Sequence, residues 1–357
     1  MLATKGQILI NIILFLLAII ISSPKAIRGN KSGIYFFTFV IAFFFCVFSF
    51  WGGDYFHYYS AYGNGFVDTH VEKFYTILAD ISPSYSIWRV MIWGTALLMI
   101  DYVFKGLKIN KYYLVYAFVA LCLLDFSYGR FSLSVAILVL GYSFLAKRKN
   151  LLLGLALLFL SVFIHRSAVF GIFTALLTLI TPISKIKFFV LYSISFGVLL
   201  YFFNDALAYL IGLDTDSDEF LGAIASRGQR YLEKEEMISG FGGYLRDVLD
   251  KIPLYLSLIL YFIIMVKKTI STMPKNIVYY GSWSALMILL ASLFAFGSDF
   301  QTSVMYERFL QYSVLPLAIF LTFCRCNNIF PRFVKFIMIS AIVSSLYTLL
   351  YAHHCAS

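Results

Sequence analysis

Apolar runs of roughly 15 to 22 residues recur from one end of the chain to the other, separated mostly by short polar turns. An α-helix needs about 20 such residues to cross a bilayer. The pattern predicts twelve spans, at about 7–23, 33–51, 85–104, 112–126, 130–146, 150–164, 167–181, 187–209, 252–267, 277–297, 305–323 and 333–351. Only His165-Arg166-Ser167 interrupts the stretch 150–181, which reads as two short helices joined by a tight turn. The fold class expected is therefore an all-α polytopic membrane protein, one transmembrane domain over residues 1–357. The first span, followed by Ser-Ser-Pro-Lys with no small-residue cleavage pattern, is expected to be retained.

The polar turns alternate in charge. Six alternate connections hold Lys25, Arg28 and Lys31; Lys105, Lys108 and Lys111; Lys147, Arg148 and Lys149; Lys185 and Lys187; Lys267, Lys268 and Lys275; and Arg325, Arg332 and Lys335. Asp101 is the one acid near them, and the other 17 of 18 acids fall on the opposite side. The positive-inside rule places the basic turns in the cytoplasm and both termini outside. Merging 150–181 into one span would break this alternation.

Two outward segments are long. The first, 52–84, opens with Gly52-Gly53-Asp54-Tyr55-Phe56-His57-Tyr58-Tyr59 and continues into Val71–Leu78, which reads as a short amphipathic helix lying at the interface. The second, 212–251, carries Asp214, Asp216, Asp218 and Glu219, then Arg227 and Arg230, then more acids. The acidic run lacks the Gly and terminal Glu of an EF-hand loop and reads as a solvated loop rather than a loose calcium site. The spans are mostly clean of charge, whereas a transport path would place polar groups near the midplane. An outward interfacial site fits better.

Composition sharpens this picture. Hydrophobic residues are 61% of the chain and charged residues 13%, too few charges for a soluble surface of this size. The net charge of +10 is dispersed in turns, without the basic helix or zinc-finger spacing of a nucleic-acid partner. Five scattered cysteines form no disulfide or metal framework. No phosphate loop, dinucleotide fingerprint, zincin motif or nucleophile elbow occurs.

Candidate chemistry gathers at outward boundaries. Arg130, after Asp125-Phe-Ser-Tyr-Gly, opens a span where its five-donor fork suits phosphate; the competing reading is snorkelling or a pair with Asp125. His165 and Arg166 share the tip of the predicted hairpin, as a hydroxyl-proton acceptor and an anion holder, or as an ordinary polar turn. Arg227 and Arg230 make either an anion clamp or surface salt bridges. Arg308, with Tyr312 one turn along, sits at a boundary like that of Arg130. Asp54 follows two glycines and is placed to orient a sugar hydroxyl, coordinate a cation or balance an arginine. Tyr58 offers a sugar-stacking ring or belongs to an aromatic belt, and Glu72 is a weaker acidic candidate.

These marks are similar, in kind and order, to those of the EpsG-like membrane proteins, a branch of the bacterial Wzy-type polysaccharide polymerases. Gly52-x-Asp54 followed by Tyr58 resembles their first outward loop, and Glu72–Leu78 the segment after it. Arg130–Ala136 resembles their span-opening arginine with small residues behind. His165-Arg166-Ser167-Ala168 resembles their His-x-Ser-Ala element, and Arg308 with Tyr312 their late Arg-x-x-x-Tyr. The acid-rich loop 212–250 departs from the pattern.

The resemblance implies a GT-C-like helical enzyme of the bacterial cytoplasmic membrane, its site toward the periplasm or exterior, with no cofactor and no metal. It implies transfer of a growing glycan from undecaprenyl pyrophosphate to the non-reducing-end hydroxyl of an incoming lipid-linked oligosaccharide repeat. It also implies partners: lipid-linked donor and acceptor, membrane lipid, and a chain-length regulator or flippase. Arg130 with one or both of Arg227 and Arg308 would hold the pyrophosphate, and His165 or Asp54 would be the base, unless His165 instead orients phosphate. Competing readings are an O-antigen ligase-like transferase, a surface-sugar acyltransferase, a lipid-linked oligosaccharide flippase and a structural export subunit.

Overall fold

The computed structural model describes residues 4–24, 31–49, 54–63, 73–127, 129–148, 150–198, 241–297 and 303–355. Within them the chain is helical, with no strand. The first ten helices are α1 (Lys5–Ser22), α2 (Lys31–Val47), α3 (Asp54–Gly63), α4 (Lys73–Asp80), α5 (Tyr85–Lys105), α6 (Lys111–Leu121), α7 (Leu123–Phe126), α8 (Gly129–Ala146), α9 (Leu151–Ile164) and α10 (Ala168–Ile180). They are followed by α11 (Ile186–Val198), α12 (Phe241–Val266), α13 (Lys275–Gly297), α14 (Ser303–Cys326) and α15 (Pro331–Cys355). Polar N-caps start several of them and satisfy donors that lipid cannot. Ser84 accepts from the Ile87 amide at 3.3 Å, Asn110 from Tyr112 at 3.1 Å and Asn150 from Leu153 at 3.0 Å. Thr4 and Gln7 close a reciprocal capping box on α1.

Among the described residues, five helices are long and apolar enough to cross a membrane: α1, α5, 248–266 of α12, 275–293 of α13, and α15. Seven shorter apolar helices accompany them. Each of the twelve predicted segments overlaps one of these helices. The most apolar stretch of α13 is 83% buried and that of α1 only 33%, so α13 is central and α1 peripheral. Leu152, Phe163 and Ile180 point outward from α9 and α10, an arrangement suited to lipid contact.

Two boundaries differ from expectation. The segment expected at 112–126 breaks at Cys122, where the backbone leaves the α6 path before α7. The helix expected from 252 starts at Phe241. Its first turns carry Arg246, Asp250 and Lys251, whose charges make them look like loop. Tertiary contacts stabilise the extension: Asp250 accepts hydrogen bonds from Ser344 and, at 3.1 Å, from Thr348 of α15, and Arg246 Nε lies 3.6 Å from its other oxygen.

The reversal at 165–167 is visible in helix register. Along α8, Ser134 donates to the Ser161 carbonyl at 3.0 Å, and Gly141 faces Gly154, so α8 and α9 are antiparallel. Leu138 meets Gly171 and Tyr142 bonds Thr178 at 2.7 Å, so α8 and α10 are parallel. Helices α9 and α10 therefore run in opposite directions. His165, with φ −154° and ψ 115°, is the extended residue that ends α9. Gly141 and Gly154 let the α8 and α9 backbones nearly touch, since a Cβ on Gly141 would sit 2.9 Å from the Gly154 carbonyl oxygen.

The bundle has two distinguishable ends. At the basic end, Lys147 Nζ donates to the Gly106 carbonyl at 2.7 Å and Lys267 lies over the Phe330 ring at 4.9 Å. There Asp101 accepts from Tyr35 at 2.5 Å and pairs with Lys105 at 2.6 Å, which accounts for the single acid among those turns. At the other end lie the C-terminus of α2, the N-termini of α3, α5, α8 and α14, and the α9–α10 turn.

Candidate functional site

Three separate elements meet at the α9–α10 turn. The His165 ring is buried, 7% exposed, and its Nδ1 lies 2.6 Å from Ser167 Oγ. The Ser167 amide donates to the same nitrogen at 3.3 Å. Ser167 Oγ in turn lies 3.1 Å from the hydroxyl of Tyr312, a fully buried residue 145 positions away on α14. Phe131 of α8 closes the group, with its ring centroid 6.0 Å from His165 and 4.7 Å from Tyr312, both edge-on. Edge-to-face rings of this kind fix each other's orientation.

Glycine makes the meeting possible. A Cβ on Gly171 would lie 2.6 Å from Leu138 Cδ2 and 3.1 Å from Tyr312 Cδ1. A side chain there would require Leu138, and by a smaller amount the Tyr312 ring, to shift.

Arg130 and Arg308 are described at the backbone only. Arg130 precedes Phe131 in the first turn of α8, and Arg308 lies one helical turn before Tyr312 on α14. Both therefore enter the bundle at the end where His165 sits. Arg166, beside His165, is exposed. Asp54 is the first residue of α3 and is likewise described at the backbone only. Glu72, Arg227 and Arg230 lie outside the described residues.

A buried arginine that the sequence reading passed over stands close by. Arg89, 2% exposed, lies in the second turn of α5. Its Nη2 donates to the Cys46 carbonyl at 2.8 Å and to Ser49 Oγ at 2.7 Å, at the end of α2. Its guanidinium lies 4.7 Å from the Trp93 ring centroid. Ser49 Oγ also reaches the Ser127 carbonyl at 3.2 Å, and Trp93 Nε1 donates to the Phe126 carbonyl at 3.1 Å. Ser127 is three residues before Arg130, and Ser49 five before Asp54. Arg89 thus ties together the backbone from which two candidate residues depart. The available signal was an ionisable residue inside an apolar run, which lipid makes expensive unless it has a task.

Tyr58 packs rather than projects. It is 6% exposed, with its ring 6.2 Å from Trp88. Trp88 also stacks on Tyr85 at 5.5 Å and donates to the Tyr75 carbonyl at 3.4 Å, so this aromatic cluster pins α3 and α4 to α5. Tyr59 is 57% exposed, and its ring meets that of Tyr85 edge-on at 5.4 Å.

Among the described residues, no three His, Cys, Asp or Glu side chains gather as metal ligands. The arrangement brings together a histidine, two hydroxyls and an aromatic wedge, with two arginine-bearing helix starts at the same end. Such a group can bind and orient an anion and align a hydroxyl against it.

The sequence model of the EpsG family matches residues 34–356 of the chain. No curated protein and no solved structure matches it.

Proposed function

The chain belongs to the EpsG family, and on that premise we propose that it is a polysaccharide polymerase of the bacterial cytoplasmic membrane, acting on undecaprenyl-pyrophosphate-linked repeats. The observation that carries the reading is the convergence of His165, Ser167, Tyr312 and Phe131 at the end of the bundle opposite the basic turns. The basic turns are cytoplasmic by the positive-inside rule, so the cluster faces the periplasm or exterior. On this reading the seven shorter apolar helices join the five long ones as spans of a twelve-span, GT-C-like bundle.

In the reaction, the non-reducing-end hydroxyl of the incoming repeat attacks the anomeric carbon of the growing glycan. A glycosidic C–O bond forms, and the bond from that carbon to the pyrophosphate oxygen breaks. Undecaprenyl pyrophosphate leaves with the electron pair. The hydroxyl proton passes to a base, for which Asp54 and His165 are the candidates. Arg130, with one or both of Arg227 and Arg308, stabilises the charge developing on the leaving pyrophosphate, and Arg166 and Arg230 are further candidates to bind it. Much of the rate enhancement comes from aligning two bulky lipid-linked substrates.

The test is incubation of the purified protein, in proteoliposomes, with its native undecaprenyl-pyrophosphate-linked repeat, resolving glycan length on a gel. A ladder is the expected result. Transfer of one glycan to lipid A or protein would instead make it a ligase, and translocation without a new glycosidic bond a flippase.

A further inference from the structure

The hydrogen bonds around His165 fix which of its ring nitrogens carries a proton. A backbone N–H can only donate, so the Ser167 amide, 3.3 Å from Nδ1, requires a lone pair on that nitrogen. Ser167 Oγ, at 2.6 Å, then has one role left toward Nδ1, that of donor. Since the single Ser167 hydroxyl proton is committed there, its 3.1 Å contact with Tyr312 is a bond that the tyrosine donates. The three groups form a directed chain, Tyr312 O–H to Ser167 Oγ, and Ser167 O–H to His165 Nδ1. With Nδ1 accepting two hydrogen bonds, the neutral ring holds its proton on Nε2.

We propose that Ser167, backed by Tyr312, locks His165 in the Nε2–H tautomer, so that His165 serves the site as a hydrogen-bond donor to a pyrophosphate oxygen and not as the general base. This rests on the polymerase reading for the identity of the ligand, and it decides between the two candidate bases. The acceptor proton then goes to the Asp54 carboxylate and from there to solvent. Nε2–H donates without transferring its proton, and its bond strengthens as charge builds on the departing pyrophosphate. Ser167 and Tyr312 are positioning residues. The His-x-Ser spacing matters because residue i+2 of the turn folds its own amide and hydroxyl back onto the ring.

Two measurements test this. In ¹⁵N-histidine-labelled protein in nanodiscs, with His165→Gln subtracted to assign the signal, Nδ1 of His165 should show the shift of an unprotonated ring nitrogen and Nε2 that of a protonated one. Binding of undecaprenyl pyrophosphate, which needs no turnover, then isolates the donor. Glutamine places an N–H near Nε2 and should bind within about threefold of wild type. Asparagine accepts from Ser167 but lacks that donor. His165→Asn and His165→Ala should each bind at least about tenfold more weakly, as expected for loss of a hydrogen bond to a charged group.

A proton on Nδ1, or a His165→Gln protein that binds as weakly as His165→Ala, would overturn the proposal. The protonation state is read on the wild-type fold, with the His165→Gln protein, verified as folded, used only to assign the signal. Normal binding without a glycan ladder would count against the polymerase reading and leave the tautomer assignment standing.

Discussion

Both ends of the bundle carry cations, but they hold them in opposite ways. At the basic end, Lys105 is 60% exposed, Lys147 reaches back to cap the Gly106 carbonyl, and Lys267 rests on Phe330. These are flexible side chains with heads in the polar zone and stems on apolar surface. At the opposite end Arg89 is 2% exposed and clasped by a carbonyl, a hydroxyl and two aromatic rings. Near it His165 is buried in a relay of hydroxyls. Counting cations would rank the basic end as the more interesting. Counting what each placement costs reverses the order, because a buried guanidinium in a membrane helix survives only when its surroundings are built for it.

The largest expected break in this contrast is at the span-opening arginines. Arg130→Ala or Arg308→Ala should lower polymerisation by about 10²–10³-fold, the usual effect of losing one preorganised donor to a developing anion. Lysine at either position should recover only part, since it lacks the planar fork. A loss no greater than twofold in both alanine proteins would remove these residues from the site.

Next in size is Arg89. Arg89→Met should destabilise the protein by about 1–3 kcal/mol, as the Cys46 carbonyl and Ser49 Oγ each lose a charge-assisted hydrogen bond. The thermal midpoint in detergent checks this, and an unchanged midpoint would show that the α2 end holds itself. Gly171→Ala should cost about 1–2 kcal/mol through overpacking against Leu138 and Tyr312. Activity should fall with it as the Tyr312–Ser167 contact opens; full activity would mean that contact is dispensable. Smallest is Lys147→Ala, expected to change stability by about 1 kcal/mol or less and leave chain growth unaltered. If it abolished chain growth in a folded protein, the difference between the ends would collapse.

Much of this architecture could be read from the chain, because hydrocarbon demands long apolar runs and charge bias repeats at every turn. The reversal at His165-Arg166-Ser167 was legible for the same reason, as charge alternation required it. The start of α12 was not: Arg246, Asp250 and Lys251 look like loop until Ser344 and Thr348, nearly a hundred residues on, supply partners for the carboxylate. His165 and Tyr312 were each recognisable, but their connection through Ser167 depends on a helix crossing that Gly171 permits, and no local pattern encodes it. Arg89 was in plain sight in a span, yet its apolar neighbours outweighed it in any reading by average hydropathy. Tyr58 shows the converse, since a conspicuous aromatic motif supplies packing against Trp88.

The central claim is that polymer synthesis belongs to the end built around His165. The most direct measurement compares glycan ladders made from the native lipid-linked repeat by wild type, Arg130→Ala, His165→Ala and Lys147→Ala proteins, each verified as folded. The account predicts full ladders from wild type and Lys147→Ala and none from the other two. Ladders of equal length from Arg130→Ala and His165→Ala would contradict it.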